Sequence, residues 1–60
     1  MGAKIRELRE KRGLSQKELA DALGVDRSAI SLWESGKTEP TAFNIRRLAD
    51  ILGVAPGDLF

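Results

Sequence analysis

The stretch Leu14 to Gly36, LSQKELADALGVDRSAISLWESG, decides the fold of this 60-residue chain. Ser15 and Glu18 stand three positions apart, so each side chain can satisfy an amide at the start of a helix beginning near Gln16. Leu14 precedes the cap and Leu19 lies four positions inside it, the spacing of a hydrophobic staple. Leu19, Ala20 and Leu23 make one apolar face. Gly24 then stands where a left-handed terminating residue is favoured, because it has no Cβ to clash. This helix is only about two turns long. Val25 and Asp26 repeat the device, with Asp26 as N-cap and Val25 stapling onto Ile30, so a second helix is predicted from Arg27 to about Ser35 and ended by Gly36.

At 100° per residue, Ala29, Ile30 and Trp33 of this second helix share one arc. Ser28, Ser31 and Ser35 occupy the opposite arc, with Arg27 and Leu32 on its edges. A merely solvated face would carry several Glu and Lys side chains. Small hydroxyls with one arginine suit close approach to something large and polar.

Working outward, a first helix reads from about Gly2 or Ala3 to Arg12, with Ile5 and Leu8 facing inward, Arg9 beside them, a Glu7–Lys11 pair at i, i+4 and Gly13 closing it. Lys37, Thr38, Glu39 and Pro40 form a loop after this stretch, since Pro40 disfavours helix at Glu39. Thr41 can cap a fourth helix with Ile45, Leu48, Ala49 and Leu52 on one face, Arg46 and Arg47 pointing away from it, and Gly53 at its end. The final VAPGDLF segment reads as a short fifth helix, with Pro56 at its first position and Val54 stapling onto Leu59. Its cap is poor, for Ala55 offers no acceptor and Gly57 lowers propensity. It is therefore expected to depend on Leu59 and Phe60 docking against helix one.

Sixty residues bury roughly 60% of the surface exposed by the unfolded chain, enough for one small core. A hydrophobic content of 42% with 32% charged residues fits a globular class. No apolar run approaches the roughly 20 residues that cross a bilayer. GAKIRELREKR is charged throughout, unlike a signal peptide. Without cysteine there is neither a disulfide framework nor a thiolate metal site. The net charge of +1 carries no argument for nucleic acid. Its distribution is uneven, because residues 1–12 hold five basic against two acidic side chains, and this basic end reads either as an amphipathic helix with a solvated face or as a local electrostatic footprint.

Gln16, Leu19, Ala20, Leu23, Gly24, Val25, Ile30 and Trp33, followed by Glu34, Gly36, Lys37 and Pro40, resemble the helix-turn-helix of the lambda-repressor and Cro type, also called the xenobiotic-response-element type. The resemblance continues through LADILGVAPGDLF and covers nearly the whole chain. It implies an all-α, compact five-helix lambda-repressor-like bundle, with residues 1–60 as a single helix-turn-helix DNA-binding domain. It also implies helix three in the major groove of double-stranded DNA, with helix two crossing the backbone.

On this resemblance Arg27, Ser28, Ser31 and Leu32 are the base-reading candidates. Arg27 can donate twice to guanine O6 and N7 or contact a phosphate, and Leu32 can meet a thymine methyl or pack against a neighbouring helix. Gln16, Lys17, Lys37, Thr38, Thr41 and Asn44 are the phosphate-binding candidates, joined by the main-chain amides that open helix four. Arg12 is a further electrostatic candidate. Arg9 and Glu34 match a structural ion pair between helices one and three. Phe43 departs from the family pattern of a polar residue and reads either as a cover for the loop after Lys37 or as a contact with a subunit or the DNA backbone. The serines also depart from it, many relatives having longer polar residues there.

The resemblance further implies sequence-specific transcriptional regulation, repressor-like, in the cytoplasm or nucleoid of a bacterium, archaeon or phage. The protein is expected to be a monomer in dilute solution that dimerises weakly or only on DNA, through the helix four to five region. No cofactor, metal, membrane or small-molecule ligand is expected. An enzyme is disfavoured by the lack of His, Cys, a glycine-rich phosphate loop or a paired-carboxylate site. The competing reading is a helical protein-interaction module, or an engineered scaffold, with the same fold and no specific DNA binding.

Overall fold

The capping signals become helix boundaries in the computed structural model, which describes residues 1–60. Helix α1 spans Gly2–Lys11, α2 Gln16–Leu23, α3 Arg27–Ser35 and α4 Ala42–Leu52. At α2 both halves of the capping box form, with Glu18 N donating to Ser15 Oγ at 3.0 Å and Ser15 N to Glu18 Oε1 at 2.8 Å. Asp26 accepts from Ser28 N at 3.2 Å, and Thr41 Oγ1 accepts from Asn44 N at 3.2 Å. Gly24 ends α2 at φ 73°, which lets its own amide and that of Val25 turn back to the carbonyls of Asp21 and Ala20. This compact stop leaves only Gly24, Val25 and Asp26 between α2 and α3, and so fixes their crossing.

The core is one cluster: Ile5 from α1, Leu19, Ala20 and Leu23 from α2, Ile30 and Trp33 from α3, Leu48, Ala49 and Leu52 from α4, and Leu59. Leu14, Val25 and Val54, the three staple residues that precede caps, pack against it half-buried. Every α-helix therefore presents its apolar face inward and leaves its polar face outside. No helix is long and apolar enough to cross a membrane.

The expected fifth α-helix is instead a single 3-10 turn, Pro56–Leu59, so the bundle has four α-helices. Four residues cannot complete an α-helical ladder, and Ala55 supplies no side-chain acceptor at the cap. What holds the turn is Asp58 Oδ2, accepting from Ala55 N at 3.1 Å, and Leu59, which is wholly buried between α1 and α4. Phe60 does not dock, and 74% of its surface faces solvent.

Two long-range contacts lie beyond the reach of local patterning. Gly2 passes so close to the end of α3 that a Cβ there would stand 2.4 Å from Trp33 O and 2.6 Å from Glu34 O. Arg47 does not simply point away from the core. It reaches across to α2, where Nη1 donates to Leu23 O at 2.6 Å, and its guanidinium carbon lies 5.6 Å from the centroid of the Phe43 ring. Leu23 O is an orphan carbonyl at the negative end of α2, so a cation suits it.

Candidate nucleic-acid interface

The exposed side of α3 consists of Arg27, Ser28, Ser31, Leu32 and Ser35. Arg27 has no ion pair or side-chain hydrogen bond, which leaves its five donors free. Ser31 is exposed and its hydroxyl is likewise uncommitted. Ser28 is different, because its hydroxyl donates to Asp26 Oδ2 and keeps only acceptor capacity for anything outside. Those two bonds from Ser28, with the nearby charge of Arg27 as a smaller influence, hold the Asp26 carboxyl below its ordinary pKa. Leu32 is 38% exposed, part of it in the chain and part available at the surface.

The C-terminal edge of α3 gathers the following loop around one oxygen. Leu32 O accepts from Lys37 N at 3.1 Å, from Thr38 N at 3.4 Å and from Ser35 Oγ at 3.1 Å. The main chain of Lys37 and Thr38 is thereby pinned beside Leu32 while both side chains stay exposed. Thr41 satisfies the amide of Asn44, and the amides of Ala42 and Phe43 open α4 with no intrachain partner. Free amides at a helix N-terminus, with the positive end of the helix dipole, form a seat for an anion.

Beneath this surface lies the network that joins three helices. Glu34 Oε2 accepts from Arg9 Nε at 2.6 Å, and Oε1 accepts from Arg9 Nη2 and from Gln16 Nε2, each at 3.1 Å. Arg9 Nη1 donates to Leu14 O at 2.8 Å. The Arg9 and Glu34 side chains are only 10% and 5% exposed. The Glu34 hydrogen bonds outweigh burial and raise the Arg9 pKa further above its ordinary value. No buried side-chain nitrogen or oxygen lacks a partner. Deleting one member of such a pair costs about 3–5 kcal/mol, because it strands the other charge.

Several candidate residues are placed apart from this surface or are already engaged. Lys17 pairs with Asp21 at 2.9 Å on an exposed face of α2, an interaction of the weak surface kind. Arg12 lies against Gly53 at the C-terminal end of α4, where its Nη1 would be 3.1 Å from a Cβ. Eleven residues of α4, about 16 Å of helix, separate that end from Thr41 and Asn44. Arg12 is thus no part of the α3 surface. In α1, Lys4 pairs with Glu7 at 3.3 Å and Arg6 with Glu10 at 3.6 Å, and Arg9 is taken by Glu34, so of the N-terminal basic side chains only Lys11 and Arg12 have no ion pair. Phe43 does not form a buried cover, since 67% of it is exposed beneath Arg47. The Ser28 hydrogen bond was readable in the Asp-x-Ser spacing of a cap, but the reach of Arg47 to Leu23 had no local signal.

Comparison with known proteins follows the same lines. A helix-turn-helix family model, HTH_3, matches residues 5–59. An uncharacterised helix-turn-helix transcriptional regulator of Archaeoglobus fulgidus is 38% identical over 60 residues, all of this chain and 86% of that protein. The prophage-derived regulator YonR of Bacillus subtilis is 37% identical over 54 residues, 90% of this chain and 50% of YonR. The chain thus spans only half the length of that relative. Among solved structures, the restriction-modification controller protein C.AhdI of Aeromonas hydrophila superposes with a TM-score of 0.91 at 42% identity, over 98% of this chain and 89% of that one.

Proposed function

Because this chain belongs to the helix-turn-helix family, whose model covers residues 5–59, we propose that it regulates transcription, in a repressor-like manner, by binding double-stranded DNA sequence-specifically. The observation that carries this reading is the α2–α3 unit. Two helices are fixed by a three-residue turn, and the second leaves Arg27, Ser31 and Leu32 exposed on a face whose one charged side chain is Arg27. Residues 1–60 act as one binding unit. Helix α3 enters the major groove, where Arg27 reads guanine through O6 and N7. Ser28 and Ser31 lie close to base edges, and Leu32 meets a thymine methyl.

Gln16, Lys37, Thr38 and Asn44 hold phosphates, with Thr41 orienting the amides that open α4. Lys17 adds charge at the cost of releasing Asp21. The protein works among nucleoid DNA in the cytoplasm and needs no cofactor. Two copies bind half-sites about 34 Å apart, one helical turn. They meet weakly, or only on DNA, through the α4 and Pro56–Leu59 region. Sedimentation of free protein should give a monomer at low micromolar concentration, and a tight dimer there would contradict the assembly.

Selection from a random-sequence duplex pool tests the reading. Enrichment of a short motif with a guanine at one fixed position is expected. A pool that emerges unenriched at low salt would refute it.

A further inference from the structure

The Glu34 carboxylate is shared between two helices. Arg9 occupies Oε2 and one side of Oε1, and Gln16 Nε2 occupies the other side of Oε1 at 3.1 Å. A carboxylate can only accept, so it dictates which end of the Gln16 carboxamide turns inward. Rotated by a half turn, the amide would set its own oxygen against a negative oxygen that is nearly inaccessible to water. Otherwise the terminal torsion of a glutamine is broad and roughly two-fold, leaving nitrogen and oxygen interchangeable. One Nε2–H is consumed by Glu34. Gln16 is half-buried and makes no other side-chain bond, so the second Nε2–H is available at the first residue of α2.

We propose that Glu34 is a positioning residue for DNA binding: it orients the Gln16 carboxamide so that the remaining Nε2–H donates to a phosphate oxygen. This rests on the DNA-binding reading above. Arg9 holds the carboxylate from the opposite side and is itself tied to Leu14 O, just before the α2 cap. The same carboxylate therefore registers the first residue of α2 against the last turn of α3. A backbone phosphate gripped by Gln16 is in this way placed at a fixed distance from the bases that α3 meets.

The test uses the 60-residue protein and its selected duplex, with each phosphate in turn replaced by a neutral methylphosphonate. Wild type should lose about tenfold in affinity at the phosphate that Gln16 grips, the loss expected for one hydrogen bond to a charged group. Gln16→Ala should lose that sensitivity and keep the others. Glu34→Gln should lose the same one. So should Glu34→Asp, which keeps the charge beside Arg9 but withdraws the acceptor by one methylene. Helicity measured on each variant at low temperature shows whether it is folded, and the Gln16→Ala and Glu34→Asp arms decide if Glu34→Gln is not.

A purely structural Glu34 would weaken binding at all phosphates alike. Folded Glu34 variants that stay sensitive at the Gln16 phosphate would overturn the proposal, as would a Gln16→Ala profile identical to that of wild type. A wild-type protein insensitive at every phosphate, with no salt dependence, would overturn the DNA-binding reading and this inference with it.

Discussion

Replacing Gly2 by alanine should destabilise the protein, against the ordinary expectation for a helix. In a helix interior alanine is favoured over glycine by about 1 kcal/mol, and Gly2 is the first residue of α1. The added Cβ, however, would stand 2.4 Å from Trp33 O, 2.6 Å from Glu34 O and 2.9 Å from the Glu34 carbonyl carbon. Carbon–oxygen contacts settle near about 3.3 Å, so α1 or the end of α3 must give by roughly 0.9 Å. The obstructing atoms are backbone and no rotamer change relieves them. Overpacking of this kind costs about 1–3 kcal/mol, which exceeds the propensity gain at a first-turn position.

A net loss of about 1 kcal/mol lowers Tm by about 4–8 °C in a domain of this size. Thermal unfolding followed by circular dichroism reads it directly. Gly57→Ala is the internal control, because nothing lies within 4 Å of its added methyl and its φ is not positive. That variant should hold or raise Tm. A Gly2→Ala protein as stable as wild type would show that α1 and α3 do not approach as closely as described.

Arg27→Ala should relax preference at a single base position and cost about 1–3 kcal/mol on the selected site, whereas Lys37→Ala should weaken all sequences alike and reduce the salt slope by about 1. Matched losses on every sequence for both would reassign Arg27 to phosphate. Arg47→Met should lower stability by about 1 kcal/mol, read from urea denaturation, because Leu23 O loses its charged donor; an unchanged midpoint would make that contact dispensable. The Asp26 carboxyl has a folded pKa below its unfolded value near 3.9, so its stabilisation is complete above that pH and disappears as pH falls through the depressed folded value. Asp26→Asn should therefore lose less stability than wild type on acidification from pH 5 to pH 3. The raised pKa of Arg9 gives a stabilisation that is complete at every pH below the ordinary arginine value and is lost only as pH climbs through the still higher folded value.

What the sequence disclosed best was information held within a few residues. Ser15 with Glu18, Asp26 and Thr41 are local devices, and each boundary they imply is realised in α2, α3 and α4. The inward faces were equally readable, because period 3.6 is a property of a short window. The contacts between residues far apart in the chain were not. Gly2 read only as the start of a helix, yet Trp33 and Glu34 lie against it. Arg47 looked like a solvated charge, yet α4 carries it to the end of α2.

Phe60 looked like a docking residue by hydrophobicity alone, but Leu59 already fills the gap between α1 and α4 and leaves Phe60 no buried place. Within the site, residue types were legible and most of their commitments were not. The Asp-x-Ser spacing marks the Ser28 hydroxyl held by Asp26, but no local spacing marks the hold of Glu34 on Gln16.

The measurement closest to the central claim is the affinity for the selected duplex and for its scrambled counterpart at 50 mM and 200 mM salt. The account predicts a selected site bound about 10³-fold or more tightly than the scrambled one, with both affinities falling steeply as salt rises because several phosphates are neutralised. Equal affinity for the two duplexes, together with a flat salt response, would contradict it.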